Sequence, residues 1–282
     1  MNQTKGGAEN HFLIYHLINM KPKKSLGQNF LTSEGAVESI LDAGDVMGED
    51  IILEIGPGKG TLTKKLLEFG GKVLAIEKDD KLYLNLKEKF KKEIKNKKLE
   101  LIHGDALDFN PKDFKLNKNG YKLIANIPYN ITGQIIRKFL ESEIQPERMV
   151  LMVQKEVAQR IVAKDKKESI LSVSVKAYGE PKYIQTVKAG SFFPIPNVDS
   201  AILLIDNISK NFFKDFSEVE FFKLVRAGFA SKRKKLSSNL SVIVDKEKVR
   251  NVFKELNLGD NSRAEDVDIN IWQQLSIKII KG

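Results

Sequence analysis

The stretch Asn126-Ile-Pro-Tyr129 carries the residue types in this chain best suited to chemistry. Proline fixes its own φ and keeps the residue before it extended, so Ile127 is stiffened and a carboxamide and a phenol ring are presented together. The Asn126 oxygen and the neighbouring carbonyl of Ile127 can both accept from an exocyclic amine, while the Tyr129 ring can stack on a base. That combination suits an amino-purine or amino-pyrimidine taken out of its stack. Read alone, the same four residues make a tight turn with a buried tyrosine.

Three further points supply groups for a ligand. Glu54-Ile-Gly-Pro-Gly-Lys-Gly60 lies between a strand pattern and a helix pattern. Its glycines let the backbone turn tightly and approach a ligand, and the helix start offers free amides. The spacing Gly56-x-Gly58-x-Gly60 departs from the Gly-x-Gly-x-x-Gly fingerprint of a dinucleotide site, and no Lys-Ser/Thr ending marks a P-loop. Glu77 stands 21 positions after Gly56, where a carboxylate can accept from both hydroxyls of a ribose. Asp105, in Gly104-Asp-Ala106, can accept from an adenine amine. Each carboxylate taken singly is equally well a helix cap, but at successive strand ends the set predicts a bound adenosyl group.

Those groups need a scaffold that brings strand ends to one edge. From about residue 50 short apolar runs alternate with helical spacing, which predicts an α/β domain with a largely parallel sheet. Strands are expected at Ile51–Ile55, Lys72–Glu77, Leu99–His103, Tyr121–Ala125 and Met149–Val153, and helices at Thr61–Phe69, Lys81–Lys95 and Thr132–Leu140. Pro181–Lys188 and Ser200–Asp206 read as an antiparallel pair closing the sheet. Beyond Asp206 only helical periodicity remains. The expected organisation is an extension over 1–19, an α/β domain over 20–206 and a small helical domain over 207–282.

Composition narrows the partners. With 47 Lys+Arg against 37 Asp+Glu among 282 residues, the formal charge is +10, which favours a polyanion such as nucleic acid. The absence of cysteine from the sequence excludes disulfides, thiolate metal sites and thiol nucleophiles, and suits a reducing cytoplasm. Three histidines make a His-rich metal centre a poor expectation. The apolar stretch His11–Ile18 is too short to span a bilayer and no small-residue cleavage site follows it, so neither an anchor nor an export signal is expected. The charge run Lys87–Lys98, with Phe90 and Ile94 four apart, reads as the solvated face of an amphipathic helix. Lys23 and Lys24 before the glycine motif, and Lys232, Arg233, Lys234 and Lys235 in the helical segment, are the basic clusters suited to the phosphates of such a polyanion.

Eight segments in order carry a specific likeness: Lys23–Leu31, Glu54–Gly58, Ile76-Glu77, Gly104–Ala106, Asn126–Asn130, Val153–Val157, Phe192–Ser200 and Phe229–Lys235. From about residue 20 to the end the chain resembles the bacterial small-subunit (16S) rRNA adenine N6,N6-dimethyltransferase family, the kasugamycin-resistance dimethyladenosine transferases. The resemblance implies a Rossmann-like class I methyltransferase with a small carboxy-terminal helical domain, using S-adenosyl-L-methionine and no metal. It implies cofactor contacts from Asn29, Leu31, Gly56, Gly58, Glu77, Asp105 and Asn126. It further implies dimethylation of two adjacent adenosines in the 3′-terminal hairpin of 16S rRNA within the immature 30S subunit, with a part in subunit assembly.

On this reading Asn126, Ile127, Pro128, Tyr129 and Phe192 form the catalytic set, Tyr129 and Phe192 clamping the flipped base between them. A cytoplasmic monomer is expected. The alternatives are a macrolide-resistance type methyltransferase acting on large-subunit rRNA, and an assembly factor that has the fold without the catalysis.

Overall fold

Runs of successive apolar residues suit strands covered on both faces; the seven strands expected from the sequence join one seven-stranded sheet, in which the edge strand Glu180–Val187 is exposed at alternate positions. The computed structural model describes Lys23 and residues 26–281. The extension expected over 1–19 and the phosphate contact expected at Lys24 lie outside the described residues.

In chain order the elements are β1 (Phe30–Leu31), α1 (Glu34–Gly44), β2 (Ile51–Ile55), α2 (Thr61–Phe69), β3 (Lys72–Glu77), α3 (Asp80–Lys89), α4 (Lys91–Lys95) and β4 (Leu99–His103). They continue with β5 (Lys122–Asn126), α5 (Thr132–Glu141), β6 (Arg148–Gln154), α6 (Lys155–Val162), α7 (Ile170–Lys176), β7 (Glu180–Val187), β8 (Phe192–Phe193) and β9 (Ser200–Asp206). Four helices follow: α8 (Glu218–Gly228), α9 (Leu236–Leu240), α10 (Lys246–Glu255) and α11 (Ile269–Ser276).

The sheet order is β4-β3-β2-β5-β6-β9-β7. Strands β2 to β6 run parallel, and β9 pairs antiparallel with both β6 and β7. The chain therefore builds outward through β2, β3 and β4, then crosses back to start β5 beside β2. The crevice between β2 and β5 is where such sheets bind ligands.

Strand periodicity divides the core into two clusters. Leu53, Leu74, Ile76, Leu123, Leu151 and Leu203 pack on one face of the sheet. Ile52, Val73, Ala75, Ile124, Val150 and Ile202 pack on the other. Alternate side chains point to opposite faces, so each strand serves both clusters and a one-residue slip would exchange them.

The expected helix over 81–95 is two helices. Phe90, 5% exposed, leaves helical geometry with φ −107° and ψ 26°. Its ring lies so close to Gly60 that a Cβ there would stand 2.6 Å from Phe90 Cε2. Gly60 has φ +75°, so both its conformation and its contact exclude a side chain. Packing of Phe90 on the glycine loop thus outweighs helical continuity.

After β9 the described elements are helices. Apolar packing nevertheless crosses Asp206: the Tyr178 ring before it lies 5.1 Å from Phe213 and 5.9 Å from Phe222 beyond it. Trp272, fully buried, stacks at 5.7 Å on Phe229.

A second contact joins parts of the chain far apart in sequence. β1 pairs antiparallel with β8, Phe30 opposite Phe193 and Leu31 opposite Phe192. Thr32 donates its amide and its hydroxyl to the Ser191 carbonyl, both at 2.9 Å. The segment 29–31 is thereby held across the mouth of the crevice.

Candidate active site

The carboxyl ends of β2, β3, β4 and β5 open into one cavity at the switch point. Its lining includes Asn29, Leu31, Gly56, Gly58, Glu77, Asp105, Asn126, Ile127, Pro128 and Tyr129. The strand ends meet because parallel pairing aligns them: Ile55 is opposite Ile76 and Glu77 opposite His103.

Gly56 turns the chain out of β2 at φ +66°, and the space where its Cβ would stand is open to 4 Å. This is a cradle that any side chain would partly fill. Glu77 ends β3 at 5% exposure. It accepts from the Gly58 amide at 3.1 Å and the Asp79 amide at 2.8 Å. Burial pushes its carboxyl upward, and these backbone bonds oppose the shift. The glycine loop and the Glu77 carboxylate therefore hold each other in place before any ligand arrives.

Asp105 accepts from the Leu107 amide at 2.9 Å and pairs with exposed Lys78 at 2.6 Å. The Lys78 bond comes first among the effects that hold its carboxyl below the usual range, so it is an ionised acceptor at the cavity wall.

Asn126 ends β5. Its Nδ2 donates to the Asn29 carbonyl at 3.0 Å, which turns its Oδ1 to the remaining side as an acceptor. The ring of Tyr129 is anchored through its hydroxyl, 2.7 Å from Ser200 Oγ, and burial raises its phenol pKa against the opposing effect of that bond. Tyr129→Phe removes this anchor and retains the ring, whereas Tyr129→Ala removes both. On the expectation from the resemblance that an adenine is methylated here, methyl transfer is expected to drop a few-fold for the first and on the order of a hundredfold for the second, given that a base stacked on an aromatic ring contributes about 1–3 kcal/mol. Equal rates for Tyr129→Ala and the unaltered protein would remove Tyr129 from the base site.

Phe192 does not line the cavity. It is 2% exposed and packs with Leu31, Val187 and Ile202, because the β1–β8 register turns it inward. A clamp that uses Phe192 therefore requires β1 and β8 to shift, while its neighbour Phe193 is 54% exposed. Lys23 is also committed. Its Nζ lies 2.7 Å from Asp79, a carboxylate only 3% exposed that caps α3, so its charge is neutralised within the protein. Lys232, Arg233, Lys234 and Lys235 are exposed in the turn between α8 and α9, with Lys232 3.8 Å from Glu265.

The residue types alone did not single out Glu54 as a site residue. It is 1% exposed, lines the cavity, and has one carboxylate oxygen, Oε2, without a hydrogen-bond partner. Burial pushes its pKa up to about 8. The signal was a carboxylate inside an otherwise apolar strand. An orphaned acceptor beside the Gly56 cradle, with Glu77 and Asp105 further along the wall, fits a ligand that carries an ammonium group, a ribose and an adenine.

Among the described residues no helix is long and apolar enough to cross a membrane.

Comparison with known proteins bears on the family and the fold. The sequence profile of the ribosomal RNA adenine dimethylase family matches residues 19–281. A Dehalococcoides mccartyi protein named ribosomal RNA small subunit methyltransferase A is 41% identical over 261 residues, 92% of this chain and 89% of its own. A Fusobacterium nucleatum protein of the same name is 38% identical over 269 residues, 94% of this chain and 100% of its own. Among solved structures, a dimethyladenosine transferase from Plasmodium falciparum superposes with TM-score 0.75 at 27% identity, covering 87% of this chain and 95% of that one. The 23S rRNA methyltransferase ErmE superposes with TM-score 0.73 at 22% identity, covering 89% and 99%. The fold is that of the class I methyltransferases.

Proposed function

The chain belongs to the ribosomal RNA adenine dimethylase family, and from that premise we propose that it transfers methyl groups from S-adenosyl-L-methionine to N6 of two adjacent adenosines in the 3′-terminal hairpin of 16S rRNA. Its substrate is the immature 30S subunit, to whose assembly it contributes, and it works as a cytoplasmic monomer. The observation that carries this reading is the pairing of Asn126 Nδ2 with the Asn29 carbonyl at 3.0 Å, which leaves an amide oxygen at the cavity to receive an exocyclic amine.

S-adenosyl-L-methionine supplies an electrophilic methyl group on a sulfonium that becomes a neutral thioether on transfer. Glu77 would receive the ribose hydroxyls, Asp105 the adenine amine, and the Gly56 cradle and Glu54 Oε2 the amino-acid end. For the substrate, an adenine N6 is a weak nucleophile because its lone pair is delocalised into the ring. Asn126 Oδ1 and the Ile127 carbonyl accept hydrogen bonds from its N–H groups, which favours a geometry with the lone pair directed at the methyl group. Tyr129 stacks on the base. No side chain of Asn126-Ile-Pro-Tyr129 is a strong base, so the N6 proton passes to water once the new N–C bond has formed. Catalysis rests chiefly on alignment.

Residues 207–282 serve as the rRNA-docking part. Arg233, Lys234 and Lys235 are exposed there and take backbone phosphates, which fix orientation without reading sequence.

The decisive experiment incubates unmethylated small subunits with labelled S-adenosyl-L-methionine and maps the modified nucleotides. The expected outcome is N6,N6-dimethyladenosine at two neighbouring positions of the 3′ hairpin. Label on large-subunit RNA, or no label with release of no S-adenosylhomocysteine, would overturn the proposal.

A further inference from the structure

The chain that leaves β8 keeps apolar side chains in solvent. Phe193 is 54%, Ile195 69% and Val198 45% exposed. Phe193 is opposite Phe30 in the β1–β8 pair, and Phe30 and Lys59 both line the cavity. Lys59 Nζ lies 5.2 Å from the centroid of the Phe30 ring and 5.4 Å from that of Phe193, and it forms no ion pair among the described residues. An exposed ring, the Lys59 ammonium and the mouth of the cavity thus meet at one place.

We propose that Phe193 and Lys59 form a subsite for the nucleotide next to the adenosine that enters the cavity, the base on the Phe193 ring and its phosphate at the Lys59 ammonium. The inference rests on the RNA-methylating function proposed above. Aromatic faces accept any base by stacking, and cations gain from neutralising phosphate by releasing counterions. Charge selects the occupant: a chain with a formal charge of +10, and beside the ring a lysine without an ion pair among the described residues, favours a polyanion. Backbone pairing with Phe30 fixes the main chain that carries the Phe193 ring, so little backbone order has to be gained on binding. With two neighbouring adenosines as targets, one lies on the subsite while the other is in the cavity.

Phe193 is solvent-facing, so Phe193→Ala leaves the core intact. Two measurements on the full chain separate the possibilities. In steady-state methylation of unmethylated small subunits, Phe193→Ala is expected to raise KM for subunits about tenfold, leave kcat within about twofold and leave the Kd for S-adenosyl-L-methionine unchanged, with Phe193→Trp restoring KM. In anisotropy with a short single-stranded adenosine-rich RNA, which requires no turnover, Phe193→Ala is expected to weaken binding by a similar factor. Lys59→Gln is expected to reduce the slope of log affinity against log salt by about one. A wild-type KM and RNA affinity in Phe193→Ala would overturn the subsite while leaving the methylating function standing. Phe193-dependent RNA binding without methyl transfer by the unaltered protein would leave the subsite and overturn the methylating function. Parallel loss of cofactor affinity in Phe193→Ala would mark Phe193 as merely structural and also overturn the subsite.

Discussion

Replacing Asn126 with alanine is expected to lower methyl transfer by about 10²–10³, the range found when one preorganised hydrogen-bonding partner of a transition state is removed. The size follows from its two roles. Asn126 Nδ2 holds the Asn29 carbonyl at 3.0 Å, and in the proposed mechanism its Oδ1 is the acceptor that turns the N6 lone pair toward the methyl group. Alanine removes both, so the segment carrying Phe30 and Leu31 loses a tie to β5 and the amine loses its orientation. Asn126→Asp retains an oxygen acceptor but sets a carboxylate against the Asn29 carbonyl, acceptor facing acceptor, and is expected to be impaired as well. The measurement is single-turnover transfer with cofactor and subunits both saturating, so that weaker binding does not enter the rate. A rate within tenfold of the unaltered protein would place the chemistry elsewhere.

The second large effect concerns stability against pH and is centred on Glu54. Its carboxyl is raised by burial from an ordinary value near 4.5 to about 8. Between those values the folded chain holds a proton that the unfolded chain has released. Stability conferred by the neutral carboxyl is therefore fully present below about pH 4.5 and is lost as pH rises through about 8. At about 1.4 kcal/mol per pKa unit the loss is of the order of a few kcal/mol.

Glu54→Gln keeps the shape and cannot ionise. Denaturant unfolding without cofactor is expected to give the variant and the unaltered protein similar midpoints at pH 5, and the variant a higher midpoint at pH 8.5. Glu77, also raised by burial, slopes in the same direction, so the variant retains part of the dependence. Identical pH profiles for the two proteins would exclude a buried neutral carboxyl at position 54.

Both effects trace to strands whose pattern is visible in the chain. The runs at 51–55 and 72–77 could be placed because β-branched and apolar residues fill both faces of a buried parallel strand, and a glycine turn or a carboxylate ends each. That local pattern brings Gly56, Glu77, Asp105 and Asn126 to successive strand ends, and with them the chemistry of the cavity. Glu54 was in view as a residue type, yet its role depends on which face of β2 is buried beside the cavity and on how completely its oxygens lose water. Neither is a property of five residues in a row.

The limits lie where partners distant in sequence decide the outcome. Phe192 and Phe193 are adjacent and chemically identical. Only the pairing of β8 with β1, some 160 residues earlier in the chain, turns one into the core and the other into solvent. Lys23 reads as a free cation until Asp79 is found beside it at 2.7 Å, and the helix over 81–95 reads as continuous until Phe90 is needed against Gly60.

The α/β class, the strand ends, and the glycines, carboxylates and carboxamide set there follow from the chain alone, since periodicity and motif order are local. Which of two phenylalanines faces solvent, which charges are already paired and which carboxylate is driven neutral follow only from the folded chain. Burial and pairing depend on contacts between distant segments, and those form only when the chain closes on itself.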